Sequence, residues 1–476
     1  MSKTAYSELV AAQKAYFLTS QTTHDMSGKI FRTNALADLR DAMKNYESQL
    51  LYALQQDLGK SEYEAYTTEL LPVMQEFDLA FQKGGGWMKN KNLLPTKMTM
   101  HGKAHVQYDP KGCVLILSPW NYPVQLTIIP LISAILAGNT CVVKPSEHAP
   151  HTSAVLEKMI NSTFAENYVH VVTGGPDVAK ALVAEKFDHI FFTGSPAVGR
   201  EVMTAAVKNL TSVTLELGGK SPCIVTNTAN IYKAAKSIAS AKLLNAGQTC
   251  VAPDYVLVCE EQKEAFMSSL VFAIRELYGE NPLKSADYGR IVNKQHFDRL
   301  NSYINRYRDS ARLFFGGQVV EQALKIAPTI LTDVNLDDPV MQEEIFGPIL
   351  VVLTYDKVIN AVRFINNHPT PLACYVFNES DETNRMVQYK LRSGGLCIND
   401  TLTHMLHPGL PFGGNGASGM GRYHGEAGFL EFSNQRSVFK AHATPNPLRF
   451  PPYTDDKMKK LKQVFKLGVF DNNKLR

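Results

Sequence analysis

The sequence predicts an α/β protein built from two parallel-sheet halves. Three observations carry the prediction. From Val114 onward, short uncharged apolar runs alternate with amphipathic segments, the rhythm of parallel strands covered by helices on both faces. The same rhythm restarts after Gly219. Polar motifs recur just past the apolar runs, at the carboxyl ends of strands, where sheets of this kind bind ligands.

Taken in order, the region from about Ser27 to Lys89 is helical. Leu36, Leu39, Met43, Tyr46, Leu50 and Leu54 recur at spacings of three and four, and Gly59 is a natural C-cap. No chemistry is read in these helices. Lys97 to Asp109 alternates weakly and reads as an edge hairpin strand, with His101 and His105 as surface residues. Strands are then expected at Val114–Leu117, Thr140–Val143, Val169–Val172, Ile190–Phe192 and Ser212–Leu215. The helices between them span about Gln125–Ala137, Thr152–Phe164, Pro176–Ala184 and Pro196–Val207. In the second half, strands are expected at Cys223–Val225, Tyr255–Val258, Ile349–Leu353 and Leu396–Asn399. Its helices span about Ile231–Leu244, Glu261–Leu277, Val358–Asn366 and Asp381–Leu391. Pro408 to Gly421 reads as a long loop at a site mouth.

Composition excludes several functions. A net charge of +4 over 476 residues, without a dense basic run interleaved with aromatics, argues against nucleic acid. The seven cysteines are scattered and contain no CxxC pair. This points to a reducing, cytoplasmic setting and away from a disulfide framework or structural zinc. His404 and His407 have no third ligand in view, so no metal site is expected. No secretory signal is read at Met1 to Gln13. The uncharged run from Gly112 to Val143 is broken by Pro119, Pro123, Pro130 and Gly138, which suits a buried strand–turn–helix–strand and not a membrane span.

The chemistry concentrates between Leu215 and Ala252. Glu216 leads a Gly218-Gly219 turn, and Cys250 stands in a loop of small and polar residues. A thiolate is a strong nucleophile, and a nearby carboxylate can take a proton from the thiol or from water. Taken singly, a lone Cys is an ordinary small buried residue and a lone Glu an ordinary surface one. Thr193-Gly194-Ser195-Pro196 joins a strand to a helix, with Ser195 as N-cap and Pro196 at the first helical position. That alone explains the residues, and the same geometry presents N–H groups to a pyrophosphate. Lys144 and Glu147 follow a buried strand; they make either an ordinary turn or a ribose contact that favours free hydroxyls over a 2′-phosphate. Gly414 to Gly419 matches GxGxxG literally, but no strand precedes it and no helix opens from it, so it reads as a loop. The real first strand-to-helix turn, after Leu117, lacks that motif. A dinucleotide site here is therefore a variant Rossmann arrangement.

These stretches together resemble the aldehyde dehydrogenase superfamily. The likeness is carried by Pro119-Trp120-Asn121-Tyr122-Pro123, Phe192-Thr193-Gly194-Ser195, Leu215-Glu216-Leu217-Gly218-Gly219-Lys220 and Gly247-Gln248-Thr249-Cys250. Glu344-Ile345-Phe346-Gly347-Pro348 and Pro411-Phe412-Gly413-Gly414 complete it. The motifs follow the family's order across nearly the whole chain. Ala252-Pro253-Asp254-Tyr255 and Gly419 to Gly425 look most like class 3, which includes fatty, aromatic and coniferyl-type aldehyde dehydrogenases.

The resemblance implies oxidation of an aldehyde to the carboxylic acid with NAD, NADP being admitted as well. A medium or long aliphatic aldehyde, or an aromatic one, is the implied substrate. Cys250 would attack the carbonyl, and the Asn121 amide with the Cys250 N–H would hold the oxyanion. Glu216 would activate the water that releases the acid. Lys144, Glu147, Gly194, Ser195, Gly199, Glu344 and Phe346 would hold the cofactor, and Tyr122 would line the substrate tunnel. The implied domains are 1–215 for cofactor, with 96–109 in a small β element for oligomerisation, and 216–410 for catalysis. Residues 411–476 would supply the mouth loop, an oligomerisation strand at 437–443 and the tail. A homodimer is implied. The basic amphipathic stretch Lys457 to Leu467 is too short and charged to span a membrane. It suits a helix at the subunit interface better than a weak peripheral membrane contact. A cofactor-independent thiol hydrolase is one alternative, but Cys250 has no recognisable histidine partner. A silent binding protein on the same fold is the other.

Overall fold

The computed structural model describes residues 3–23, 28–443 and 446–465. Its first sheet has six strands, in the order Gly419–Met420, Ser212–Leu217, His189–Gly194, Cys113–Leu117, Thr140–Lys144, Val169–Val171. All pair in parallel except Gly419–Met420, which runs antiparallel along Ser212–Leu217. Strand order reverses between Cys113–Leu117 and His189–Gly194. A doubly wound sheet opens its ligand crevice at such a point.

Each face of this sheet has its own core. Helices Gln125–Ala137 and Pro150–Thr163 cover one face together with the helical region that starts at Lys29. Pro176–Val183 and Pro196–Val207 cover the other, with Tyr6, Leu9 and Val10 of an N-terminal helix, Lys3–Thr23. Every residue of Gln125–Ala137 is buried although Pro130 lies inside it. A proline in a helix interior costs ~3 kcal/mol. Burying one Leu or Ile contributes ~1.5–3 kcal/mol, so packing decides. Gly138, at φ +93°, ends the helix.

The second sheet has seven strands: Leu313–Phe315, Thr329–Thr332, Ile349–Tyr355, Tyr255–Cys259, Pro222–Val225, Ala373–Phe377, Gly395–Ile398. Only the first of these runs antiparallel to its neighbour. A third sheet orders Lys91–Leu93, Gly102–Pro110, Ser433–Ala441.

Several expectations change. Lys97–Asp109 is not an edge strand: its pairing part, Gly102–Pro110, is the middle of the third sheet, between two antiparallel partners. The returning strand is Ser433–Ala441, four residues earlier than 437. Glu216 does not follow a strand but lies within Ser212–Leu217. Ala373–Phe377, next to the edge strand Gly395–Ile398 of the second sheet, was not anticipated, nor was the N-terminal helix. The stretch from Gly419 to Phe432 returns to the first sheet, where Phe191 meets Tyr423 edge to face and stacks on Phe432. Of the region expected to be helical from Ser27, Ser27 itself lies outside the described residues, as do Lys466 and Leu467 of the tail. The tail is a helix, Asp455–Phe465, with no buried residue.

Candidate active site

Helix Ile231–Leu243 starts with Asn230, whose side chain accepts from the Lys233 N–H at 3.0 Å. It ends in a tight turn, Leu244–Gly247, ahead of Cys250. Asn245, Ala246 and Gly247 have φ of +51°, +53° and +78°. Left-handed conformations cost non-glycine residues roughly 1–3 kcal/mol each and persist only when the surroundings hold them. The hold is visible. Asn245 N–H donates to Glu64 Oε1 at 2.7 Å, and its amide donates to Asn121 O at 2.8 Å and Gln248 O at 3.2 Å. Gln248 in turn donates to Asn245 O and Arg290 O, and accepts from the Val292 N–H, all at 2.9 Å. A Cβ on Gly247 would stand 2.3 Å from Gly347 O, so only glycine lets the two loops touch.

The crevice at the switch point has a volume of about 710 Å³ and lies between the two large sheets. Cys250, Asn121, Glu216, Glu344 and Phe346 all line it, with Trp120 and Thr193 to Ala197. Five sequence-distant segments thus meet on one rim. The Asn121 amide donates to Gln248 O at 3.1 Å, which ties it to the cysteine turn. Trp120 and Phe346 meet edge to face at 5.3 Å. At the start of Pro196–Val207, Ser195 Oγ accepts from the Val198 N–H at 3.4 Å.

Electrostatics set the protonation states. Burial, then the nearby carboxyls of Glu344 and Glu216, push the Cys250 thiol up to about 12. The protein groups alone therefore favour the protonated thiol. Burial lifts Glu216 well above the usual carboxylate range; Arg422 opposes this and Glu431 adds to it. Neither Glu216 oxygen has a hydrogen-bond partner among the described residues. Burial lifts Glu344 to about 8, helped by Asp254 and opposed by the Gly219 N–H, Lys220 and Lys242.

Glu344 is held by residues to which no role was given. Asp254 accepts from the Ile345 N–H at 2.9 Å and pairs with Lys220. Lys220 also donates to Val340 O at 2.8 Å and Glu343 O at 2.9 Å. Arg299 donates to Ile345 O at 2.8 Å. A Cβ on Gly218 would fall 1.9 Å from Glu344 Oε2, so this glycine makes room for the carboxylate. Lys220, Gly218 and Asp254 sit inside the quoted motifs, so the signal was there without its meaning. Arg299 left no signal.

Four expected site residues stand elsewhere. Lys144, buried at the end of its strand, pairs with Glu147 at 2.6 Å beside the crevice without lining it. Gly199 is on the buried face of helix Pro196–Val207: a Cβ there would meet Leu217 Cδ2 at 2.6 Å, so it allows close helix–strand packing. Tyr122 was expected in a substrate channel, yet it is buried outside the crevice lining. Its hydroxyl bonds Thr249 at 2.6 Å and its ring lies 4.0 Å from Lys60 Nζ. The loop Pro408 to Gly421 touches the site through Ala417. A Cβ on Gly413 would stand 2.9 Å from Glu216 Oε1. No group of three or more ligating side chains suited to a metal occurs among the described residues.

Residues 4–438 match the model of the aldehyde dehydrogenase family. The chain is 46% identical to a 4,4'-diaponeurosporen-aldehyde dehydrogenase of Staphylococcus aureus over 454 residues, 95% of this chain and 97% of that one. It is 42% identical to human aldehyde dehydrogenase family 3 member B1, covering 90% and 92% of the two chains. Among solved structures it resembles a substrate-bound Staphylococcus aureus AldH, with a TM-score of 0.92 and 44% identity over 96% of this chain and 99% of that one. It also resembles a P. syringae indole-3-acetaldehyde dehydrogenase solved with NAD+, with a TM-score of 0.84 and 26% identity over 92% and 89%. With its crevice, its motif order and its length all in agreement, this chain belongs to the aldehyde dehydrogenase family.

Proposed function

We propose that this NAD(P)-dependent aldehyde dehydrogenase oxidises an apolar aldehyde to its acid with Cys250 as nucleophile, Asn121 as oxyanion donor and Glu216 as base. The observation that carries the reading is the convergence of these three side chains on one crevice wall. The Cys250 thiol gives its proton to water as Sγ adds to the aldehyde carbon, and the Asn121 amide with the Cys250 N–H stabilises the oxyanion. Once hydride has left, Cys250 carries a thioester. Glu216 then takes a proton from water, which attacks that thioester and frees the acid.

The residues present fit a dinucleotide. A helix N-terminus with its free N–H groups opens at Ser195 and favours an anionic pyrophosphate, and Gly194 lets backbone come close. Glu344 and Phe346 would hold the nicotinamide end. Lys144 and Glu147, at the neighbouring strand end, would meet the adenine ribose, and Gly199 would let the pyrophosphate helix sit close to the sheet. Bound there, NAD supplies the hydride acceptor and a positive ring beside a thiol that burial holds protonated.

The substrate class is supported by aromatic rings around the cysteine turn. Tyr375 donates to Val251 O at 2.6 Å. Phe412, Tyr423, His404 and His424 continue the cluster. Tyr122, hydrogen-bonded to Thr249, would back the substrate tunnel from behind that turn. The test is NADH formation over straight-chain aldehydes of rising length, with Cys250→Ala as control. Each added methylene is expected to raise kcat/KM about three- to fourfold until the site is filled, at ~0.8 kcal/mol per buried CH2. A flat or falling series, or normal turnover by the control, contradicts the proposal.

A homodimer and a cytoplasmic setting complete the proposal. The helix Pro196–Val207 leaves Val198, Met203 and Val207 exposed, and Leu210 follows them. Such a patch is a protein contact surface more often than a free one. All seven cysteines are unpaired. No helix among the described residues is long and apolar enough to cross a membrane. The exposed basic helix Asp455–Phe465 is assigned to the subunit contact, with a weak membrane-surface contact as its alternative.

A further inference from the structure

Behind the crevice, residues 60–70 send three charged side chains inward. Lys60 and Glu69 are wholly buried and pair at 2.6 Å. Lys60 Nζ also donates to Asn121 O at 3.1 Å and lies 4.0 Å from the Tyr122 ring. The second Glu69 oxygen accepts from the Val124 and Gln125 N–H groups at 3.1 and 3.0 Å, at the start of the helix that follows Asn121. Glu69 belongs to a five-residue π turn, Tyr66–Leu70, an uncommon feature found most often at functional sites. Glu64, one turn earlier, accepts from the strained Asn245 N–H at 2.7 Å.

These contacts form one network. Asn121 O takes hydrogen bonds from Lys60 and from Asn245, while the Asn121 amide donates to Gln248 O. Both ends of the network are thus braced, the amide donor on one side and the cysteine turn on the other. A fully buried ion pair is a poor device for stability, since apolar residues of like size often do as well or better. What it supplies is direction: fixed hydrogen bonds on atoms that packing alone would leave free to shift.

We propose that Lys60, Glu69 and Glu64 are positioning residues that fix the Asn121 amide relative to the Cys250 turn. They touch neither substrate nor cofactor. The inference rests on the roles given above to Asn121 and Cys250. A misplacement of about 1 Å at a reacting centre can slow a reaction on the order of 100-fold.

The test is the pre-steady-state burst of NADH with a saturating aldehyde. Its amplitude counts working sites, and its rate constant reports the acylation step at each of them. Lys60→Met, and Lys60→Met with Glu69→Gln, are expected to slow the rate constant by about 10- to 100-fold, with the Kd for NAD within about twofold of the parent. Glu64→Leu should slow it as well, and Glu64→Gln, which keeps an acceptor for Asn245, should restore it. This pair decides the matter if the Lys60 variants fail to fold. Asn121→Ala runs alongside. A lower amplitude or melting temperature with an unchanged rate constant means a merely structural role and overturns the inference. If Asn121→Ala is slow and the network variants are not, the inference fails alone. If Asn121→Ala keeps the parent rate, the inference falls together with the reading beneath it.

Discussion

Glu216, the proposed base, lines the crevice, buried and without a hydrogen-bond partner for either oxygen among the described residues. Burial raises its pKa, Arg422 opposes the rise and Glu431 adds to it. A base of this kind is protonated in acid and becomes effective as pH climbs. Thioester hydrolysis should therefore accelerate from neutral into alkaline solution. Glu216→Gln should erase that rising limb and slow deacylation on the order of 100-fold or more. Deacylation rates across pH 6 to 10 check this; a rising limb that survives in the variant would exclude Glu216 as the base. At this level much was readable from sequence. Cys250, Glu216, Asn121, Glu344, Phe346, Gly194 and Ser195 all line one crevice. Their neighbours were harder. Nothing in a string of letters distinguishes an Asp254 that braces a loop from one that solvates a turn.

Helices Leu71–Trp87 and Gly425–Glu431 pack together with a buried carboxyl, Glu76, between them. Glu76 Oε1 accepts from the Gly425 N–H at 2.7 Å, and Oε2 has no partner among the described residues. Burial raises its pKa to about 7, against the lowering effect of that N–H. The folded value exceeds the unfolded one, so the protonated form stabilises the fold. That contribution is full below about pH 4.5 and is lost as pH rises through about 7. Glu76→Gln keeps an acceptor without the charge. It should be more stable than the parent at pH 8.5 by about 1–3 kcal/mol, with the gap closing towards pH 5. Denaturant melts at both pH values measure this; a gap that is absent at pH 8.5 would contradict it. The sequence periodicity marked the region from about Ser27 to Lys89 as helical without its breaks, because the apolar stripes from Leu36 to Leu54 face a core. It could not show that Lys60, Glu64 and Glu69 turn inward, since buried and solvated charges have the same spacing. Gly102–Pro110 was misread as an edge for a related reason: its second partner, Ser433–Ala441, lies over three hundred residues away. Ala373–Phe377 is five residues long, and a short apolar run does not reveal its neighbours.

The whole molecule joins two doubly wound halves and a small three-stranded arm. The arm's outer strand, Ser433–Ala441, is nine residues long, largely exposed and unpaired on one edge among the described residues. Open edges of this length invite pairing with another chain. Together with the apolar face at Met203, Val207 and Leu210, this leads us to expect a mass by light scattering of about twice the chain's 52.8 kDa. Met203→Asp with Val207→Asp should shift it towards one chain; a monomeric parent would contradict the dimer.

The account as a whole requires that the aldehyde become covalently attached at one sulfur before water releases it. Glu216→Gln, mixed with NAD and excess aldehyde, quenched in acid and digested, should carry the acyl group on the peptide that contains Cys250. An acyl group on another residue, or free acid formed at the parent rate with no adduct, would contradict it.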